Sequence, residues 1–280
     1  MESADRAAPF LRWAGSKRQL VPRLAAYWPG GGTRYIEPFV GSACLFFHVA
    51  PDSAILGDIN PELINTYIAV RDHVAEVASI LADLSPGQTE YYMIRALAPE
   101  RMSLVERACR FIYLNRFCFN GLYRTNQAGQ FNVPYGARKS GSLPTRADLL
   151  RCSKVLQVAE LVVGDFETTV DGAGAGDFVY MDPPFALSNR RSFRQYDPAA
   201  FGTDDLLRLR QAMESMASRG ARFVVSYAAD DEALCHWQGF DVASASVRRN
   251  VAGFTASRRR DRELLVSNAS TTVHLNWDLT

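Results

Sequence analysis

Asp182-Pro183-Pro184-Phe185 is the sharpest chemical feature of this 280-residue sequence. It directly follows an apolar run, FVYM at 178–181, that reads as a buried strand. In open α/β sheets, ligand chemistry sits outside the carboxyl ends of the strands. Asp182 offers a hydrogen-bond acceptor there. The two prolines stiffen the loop and lack N–H donors, so a carbonyl before or between them can point outward as a second acceptor. Phe185 adds a flat apolar face. Two acceptors above an aromatic plate match an exocyclic amino group on an aromatic base. Such contacts draw the amino lone pair out of conjugation and aim it at an electrophile.

The surrounding pattern supplies a scaffold for that site. Residues 34–39 (RYIEPF) read as a strand running into the small-residue turn Val40-Gly41-Ser42, and 43–49 have helical character. Residues 54–57 form a short strand ending at Asp58. Pro61 opens an apolar-periodic run that predicts one helix over 61–84. Strands are expected at 160–163, 178–181 and 222–226, with a helix at 206–219 and an antiparallel edge near 240–248 and 262–267. Between them, 86–150 break the alternation with helical stretches around 89–97 and 103–114. A polar Gly- and Asn-rich run follows, with a turn at 127–129 that suggests a hairpin. The expected fold is α/β, a Rossmann-like doubly wound sheet formed by 1–69 and 148–280. Residues 70–147 are expected as an inserted, mainly helical domain carrying the hairpin.

Composition agrees with a globular α/β chain: 48% hydrophobic and 22% charged residues exclude whole-chain disorder. No apolar run approaches a membrane span, and the polar start breaks at Pro9 without a secretory apolar core. The five cysteines are scattered with no C-x-x-C pair, so no metal site is expected and a cytoplasmic location fits best. The formal net charge is +1, but it is unevenly spread. Residues 107–154 carry a net +8, 186–195 a net +3 and 248–262 a net +5, leaving −15 for the remainder. Such a chain can present a basic face to a polyanion while staying near neutral overall.

These motifs together resemble the DNA adenine methylase (Dam) family of S-adenosylmethionine-dependent N6-adenine DNA methyltransferases. The resemblance spans nearly the whole chain. It rests on PFLRWAGSKR at 9–18, YIEPFVGS at 35–42, GDINP at 57–61, YLNR at 113–116, FNGLYR at 119–124, FNVP at 131–134, GDF at 164–166, DPPF at 182–185, and the tail residues 248–250 and 263–266. Their order is the family's order. It implies S-adenosyl-L-methionine as cofactor, held by Trp13, Lys17, Glu37, Phe39, Gly41, Asp58, Asp165, Phe166 and Asp182. Gly41 makes a tight turn close to the cofactor. Asp58 is placed to accept from ribose hydroxyls. Asp165 accepts from the cofactor's adenine amine, with Phe166 against its ring. Asp182, Pro183, Pro184 and Phe185 are the implied catalytic set. Methyl transfer is expected in line from sulfur to N6, with no covalent enzyme intermediate, so Cys44 and Cys118 are expected to be dispensable to chemistry.

The implied partner is double-stranded DNA, from which the target base must be flipped out. Arg124 is expected to bond guanine in the major groove, Leu122 to touch a thymine methyl and Phe119 to wedge between base steps. Asn120 and Asn126 are expected to contact bases or phosphates, and Pro134 to stiffen the returning strand. Arg190, Arg191, Arg194 and Arg258–Arg260 are expected on phosphates. The hairpin resembles GATC-modifying members, which makes GATC the expected site. The enzyme is expected to act as a monomer, with a restriction endonuclease on the same site as a conceivable independent companion.

Two residues depart from the family pattern. Phe185 stands where Tyr is usual, which keeps the stacking face. Ala43 stands where a glycine commonly follows the turn, and its methyl is expected to tighten the cofactor pocket. The rival chemistries are the same amino methylation on cytosine N4, on RNA adenine or on a protein glutamine amide. The rival from another class is a sequence-specific DNA-binding regulator without catalysis.

Overall fold

The computed structural model describes residues 6–137, 141–184, 201–229, 231–248 and 260–269. Its strands are β1 (Arg34–Glu37), β2 (Ala54–Asp58), β3 (Ala159–Val163), β4 (Asp177–Met181), β5 (Arg222–Ala228), β6 (Asp241–Arg248) and β7 (Arg260–Ser267). Its helices are α1 (Val21–Leu24), α2 (Cys44–Val49), α3 (Pro61–Asp72), α4 (Val74–Asp83), α5 (Gln88–Ala96), α6 (Leu104–Phe117), α7 (Arg146–Leu156), α8 (Phe166–Val170), α9 (Thr203–Ser218) and α10 (Asp231–His236).

One seven-stranded sheet runs in the order β3-β2-β1-β4-β5-β7-β6. The first five strands in that order are parallel, and β7 enters antiparallel between β5 and β6. This is the expected α/β sheet with its antiparallel edge. The order turns at β1 and β4, so their carboxyl ends flank the crevice where open sheets bind ligands. β4 is buried along its whole length, as a central parallel strand must be.

Side chains alternate between two apolar layers with the period of two that a strand imposes. Tyr35, Leu56, Phe178, Tyr180, Val224 and Leu265 join one core with helices α2, α3, α6 and α7. Ile36, Val179, Met181, Val225 and Val266 face the other, against α8 and α9. That alternation also places Glu37, Asp182, Ser226 and Glu263 on the first face, at the edge of its core.

The run 61–84 is two helices, not one. Asn60 caps α3 through its side chain, which accepts from Glu62 N and Leu63 N, and Pro61 occupies the first helical position. The helix then breaks at His73, at φ −129° and ψ 33°. The Arg71 carbonyl, which a continuous helix would satisfy internally, instead accepts from Ser153 Oγ on α7 at 3.1 Å and from Gln157 Nε2, the residue that caps α7, at 2.7 Å. Apolar spacing persists across the break, so periodicity alone hides it.

Helices α4 and α6 pack into the same core as the sheet, through Val77, Leu81, Val105, Ala108 and Ile112. A satellite core lies beyond them, built from Tyr91, Ile94, Tyr113, Leu114, Phe117, Cys118 and Val133. Above it runs the segment 118–135. The expected hairpin is reduced to two isolated bridges, Cys118 with Tyr135 and Thr125 with Phe131. Its return limb is pinned to α5, because the Val133 carbonyl accepts from Tyr91 OH at 2.8 Å and Arg95 Nη1 at 3.1 Å. No helix among the described residues is long and apolar enough to cross a membrane.

Candidate active site

Asp182 leaves β4 at the mouth of a cavity of about 980 Å³. Its Oδ1 accepts from Lys17 Nζ at 2.5 Å and from Ser226 Oγ at 3.0 Å. Lys17 is buried and lies 3.8 Å from Glu263 Oε2 on β7. Pro183 and Pro184 also line the cavity. Phe185 lies outside the described residues.

Across the cavity, β1 ends at Glu37 and runs into the turn at Gly41. Gly41 adopts φ +45°, and a Cβ there would stand 2.8 Å from Trp13 Cδ1. Only a bare backbone fits. The turn is fixed from both sides. Its carbonyl accepts from Tyr67 OH at 2.8 Å, and its N–H donates to Asp58 Oδ2 at 3.3 Å. Asp58 Oδ1 accepts from Asn60 N at 3.0 Å. The next residue, Ile59, is 68% exposed and also lines the cavity.

Ala43, where glycine was expected by family pattern, adopts a left-handed backbone at φ 52° and ψ 38° at the start of α2. The substitution therefore shows as backbone strain in the turn, because a Cβ disfavours that region.

Carboxylates crowd this cavity. Glu37, Asp58, Asp182 and Glu263 line it, with the Lys17 ammonium among them. Burial pushes Glu37 well above the ordinary carboxylate range. The Tyr35 hydroxyl, donating at 2.9 Å, opposes the shift, while Asp182 and Asp58 add to it. Burial raises Asp58 to about 6, against the pull of the Asn60 and Gly41 amides. Such a site favours a cation.

At the far end, Phe39 and Phe166 stack with centroids 5.4 Å apart, and Phe201 meets Phe39 edge-on. Asp165 caps α8 by accepting from Glu167 N at 3.0 Å, and its Oδ1 also accepts from Arg208 Nη2 at 2.7 Å. Arg208 lies over the Phe166 ring at 4.9 Å. Trp13 lies against both Phe111 and Tyr123, at 6.4 and 6.1 Å between centroids, and those two rings are themselves 5.4 Å apart. All nine expected cofactor residues line this one cavity.

The expected DNA-reading residues lie on one loop but in different states. Phe119 is exposed and Leu122 half-buried. Asn120 adopts φ 57° and lines the cavity. Arg124 is exposed, and its Nε donates to Asn132 Oδ1 at 2.8 Å. Asn126 is absorbed by its own turn: Oδ1 accepts from Ala128 N and Gln130 N, and Nδ2 donates to Gln130 Oε1. Pro134 is exposed, and its carbonyl accepts from Phe119 N at 2.9 Å. Arg190, Arg191, Arg194, Arg258 and Arg259 lie outside the described residues, as does the side chain of Arg260.

Sequence reasoning missed several members of the site. Ser226 arrives through β5, beside β4, and its sequence signal is a polar residue interrupting an apolar strand. Glu263 arrives through β7, one strand further, and opens the 263–266 tail match without having been assigned to the site. Asn115, buried on α6, clamps the backbone of Arg12, receiving its N–H at 2.8 Å and donating to its carbonyl at 2.6 Å. That clamp holds the segment carrying Trp13 and Lys17.

Residues 13–251 match the model of the D12 class N6 adenine-specific DNA methyltransferases. The type II methyltransferase M1.LlaDCHI of Lactococcus lactis subsp. cremoris is 34% identical, over 93% of this chain and 95% of the relative. M.MjaIII of Methanocaldococcus jannaschii, also a type II methyltransferase, is 33% identical over 93% of this chain and 98% of its own length. The DNA adenine methylase of Serratia marcescens is 33% identical over 91% and 96%. With the family model matched over most of its length, the chain belongs to the D12 class of N6 adenine-specific DNA methyltransferases, enzymes that methylate the exocyclic amine of adenine in DNA.

Proposed function

We propose that the cavity beside Asp182 holds S-adenosyl-L-methionine and that Asp182 presents the amine of a flipped-out adenine to it. One observation carries this reading: the Asp182 carboxylate is fixed by Lys17 and Ser226 at the mouth of the same cavity that Glu37, Gly41 and Asp58 line. The group fits the residues present. Gly41 lets Trp13 close against the turn, so that both line the cavity, and the crowded carboxylates suit a positive charge. When bound, S-adenosylmethionine supplies a methyl group on a positively charged sulfur.

A positive charge bound beside Glu37 would draw its raised titration back down, so that Glu37 and Glu263 can offset that charge. Asp58 accepts from ribose hydroxyls, and Ile59 and Phe39 cover apolar ring surface. Asp165 keeps an oxygen for an adenine amine, because both of its described bonds fall on Oδ1. Asp182 and a carbonyl of the Asp182–Pro184 loop accept the two N6 protons of the target base. They raise the electron density on nitrogen and orient its lone pair. Asp182 serves as a hydrogen-bond acceptor. Phe185 stacks beneath the base and returns about 1–3 kcal/mol of the flipping cost.

Residues 70–147 form the target-recognition part. Arg124 reads guanine, Leu122 touches thymine, Phe119 wedges between base steps and Asn120 reaches toward the flipped base. Asn126 shapes the loop that presents them. The arginines at 190, 191, 258 and 259 hold phosphates. GATC in double-stranded DNA is the proposed site, and the enzyme acts as a monomer in the cytoplasm, with no need of a restriction endonuclease for methyl transfer.

Sequencing DNA from expressing cells with a method that reports modified adenine tests this reading. N6-methyladenine confined to GATC is the expected result. Modification at another sequence removes the GATC assignment. Modified cytosine or RNA redirects the substrate, and specific DNA binding without cofactor uptake supports the regulator.

A further inference from the structure

Asp182 is gripped from one side. Among the described residues, Lys17 Nζ and Ser226 Oγ both donate to Oδ1, at 2.5 and 3.0 Å. Ser226 lies on β5, fully buried, beside the end of β4. The Tyr180 hydroxyl, two residues before Asp182 on the same face of β4, sits 3.1 Å from Ser226 Oγ and is also buried. A serine hydroxyl carries one proton and a carboxylate only accepts. The Ser226 proton is therefore committed to Asp182, so Tyr180 donates to Ser226. Burial and the nearby Asp182 push the Tyr180 phenol well above its ordinary range, which keeps it a donor.

We infer that Ser226, backed by Tyr180, is a positioning residue for methyl transfer. It fixes the plane of the Asp182 carboxyl so that Oδ2 faces the cavity and receives the adenine amine. Lys17 alone does not do this. Its ammonium is a compact charge with rotatable donors on a flexible stem, and it anchors an oxygen without fixing a plane. A second donor in a different direction does, and Tyr180 removes the remaining freedom of the serine rotor. The other charged groups around Asp182 are Glu37 and Glu263. The inference rests on the reading of Asp182 as the amine acceptor.

The opposing explanation is that Ser226 and Tyr180 merely satisfy each other in the core. Single-turnover methyl transfer, cofactor and duplex affinities and thermal unfolding separate the two, measured on Ser226→Ala, Tyr180→Phe, the double variant and Asp182→Ala. Ser226→Ala is expected to slow the transfer step about ten- to a hundredfold, the scale of a hydrogen bond to a charged group. For Ser226→Ala both affinities should stay within about twofold of the parent, since Ser226 is not among the residues lining the cavity. Tyr180→Phe should slow transfer less. The double variant should be no slower than Ser226→Ala, because the tyrosine acts only through the serine. It should also recover stability, since no buried hydroxyl is then left without its partner. A double variant that recovers rate together with stability overturns the inference, as does a Ser226→Ala enzyme of parental rate beside an inactive Asp182→Ala. An Asp182→Ala enzyme of parental rate instead removes the reading of Asp182 itself.

Discussion

Trp13 and Tyr123 stack with ring centroids 6.1 Å apart and planes 19° apart. Tyr123 belongs to the loop assigned to DNA recognition, and Trp13 lies against Gly41 in the proposed cofactor turn. The two halves of the enzyme therefore share an aromatic joint. Tyr123→Ala is expected to weaken S-adenosylmethionine binding about two- to tenfold, matching the 0.5–1.5 kcal/mol or so of an aromatic pair. Calorimetry on the variant measures it. An unchanged affinity would reduce the stack to packing of the loop.

Ala43 holds a left-handed backbone that a glycine adopts without a steric penalty. Releasing the strain contributes about 1–2 kcal/mol, and glycine's greater unfolded freedom offsets about 0.5–1 kcal/mol of it. Ala43→Gly is thus expected to raise stability by roughly 0.5–1 kcal/mol while methyl transfer persists. Denaturant unfolding of the two proteins checks this. A less stable variant would mean that the buried methyl contributes more by packing than the backbone loses.

Much of the site was legible in the sequence because its parts are local. Asp182 follows an apolar strand, Gly41 closes a strand-to-helix turn and Asp58 ends another strand, each readable within about six residues. What was hidden depends on contacts between distant segments. His73 breaks a run whose apolar spacing never falters, because α7 captures the Arg71 carbonyl. Ser226 and Glu263 become site residues only when β5 is laid beside β4 and β7 beside β5. Asn126 carried the chemistry of a base reader, yet its local turn bonds take both ends of its amide. Side chains of that type compete for nearby backbone groups, and here the backbone wins.

Asp58 titrates at about 6, raised by burial. Ribose hydroxyls need the ionised carboxylate as acceptor. S-adenosylmethionine affinity is therefore expected to be full from about one unit above pH 6, to be about halved at pH 6 and to fall toward about tenfold per unit below it. On folding of the ligand-free protein the sign reverses. The raised value contributes stability that is present below the ordinary 3.8 and lost as pH rises through about 6. Binding titrations from pH 5 to 8 test the first point, with Asp58→Asn expected to bind weakly and lose the pH dependence. A flat profile in the parent enzyme would remove Asp58 from the cofactor contacts.

Arg124 and Asn126 are two residues apart and are expected to fail differently. Arg124→Ala should cost about 1–3 kcal/mol of discrimination at one base pair and leave the other positions unchanged. Asn126→Ala should loosen the turn and weaken binding to every sequence alike. Competition binding with single-base variants of the site distinguishes them. Equal, sequence-blind losses from both would take Arg124 out of the reading set.

The central claim is that the Asp182 carboxylate holds the reacting amine. Single-turnover methylation by Asp182→Ala, with duplex affinity measured in parallel, addresses it most directly. The expected result is a transfer rate lower by at least about 10²–10³-fold with duplex binding largely retained. A variant that methylates adenine at nearly the parental rate would contradict it.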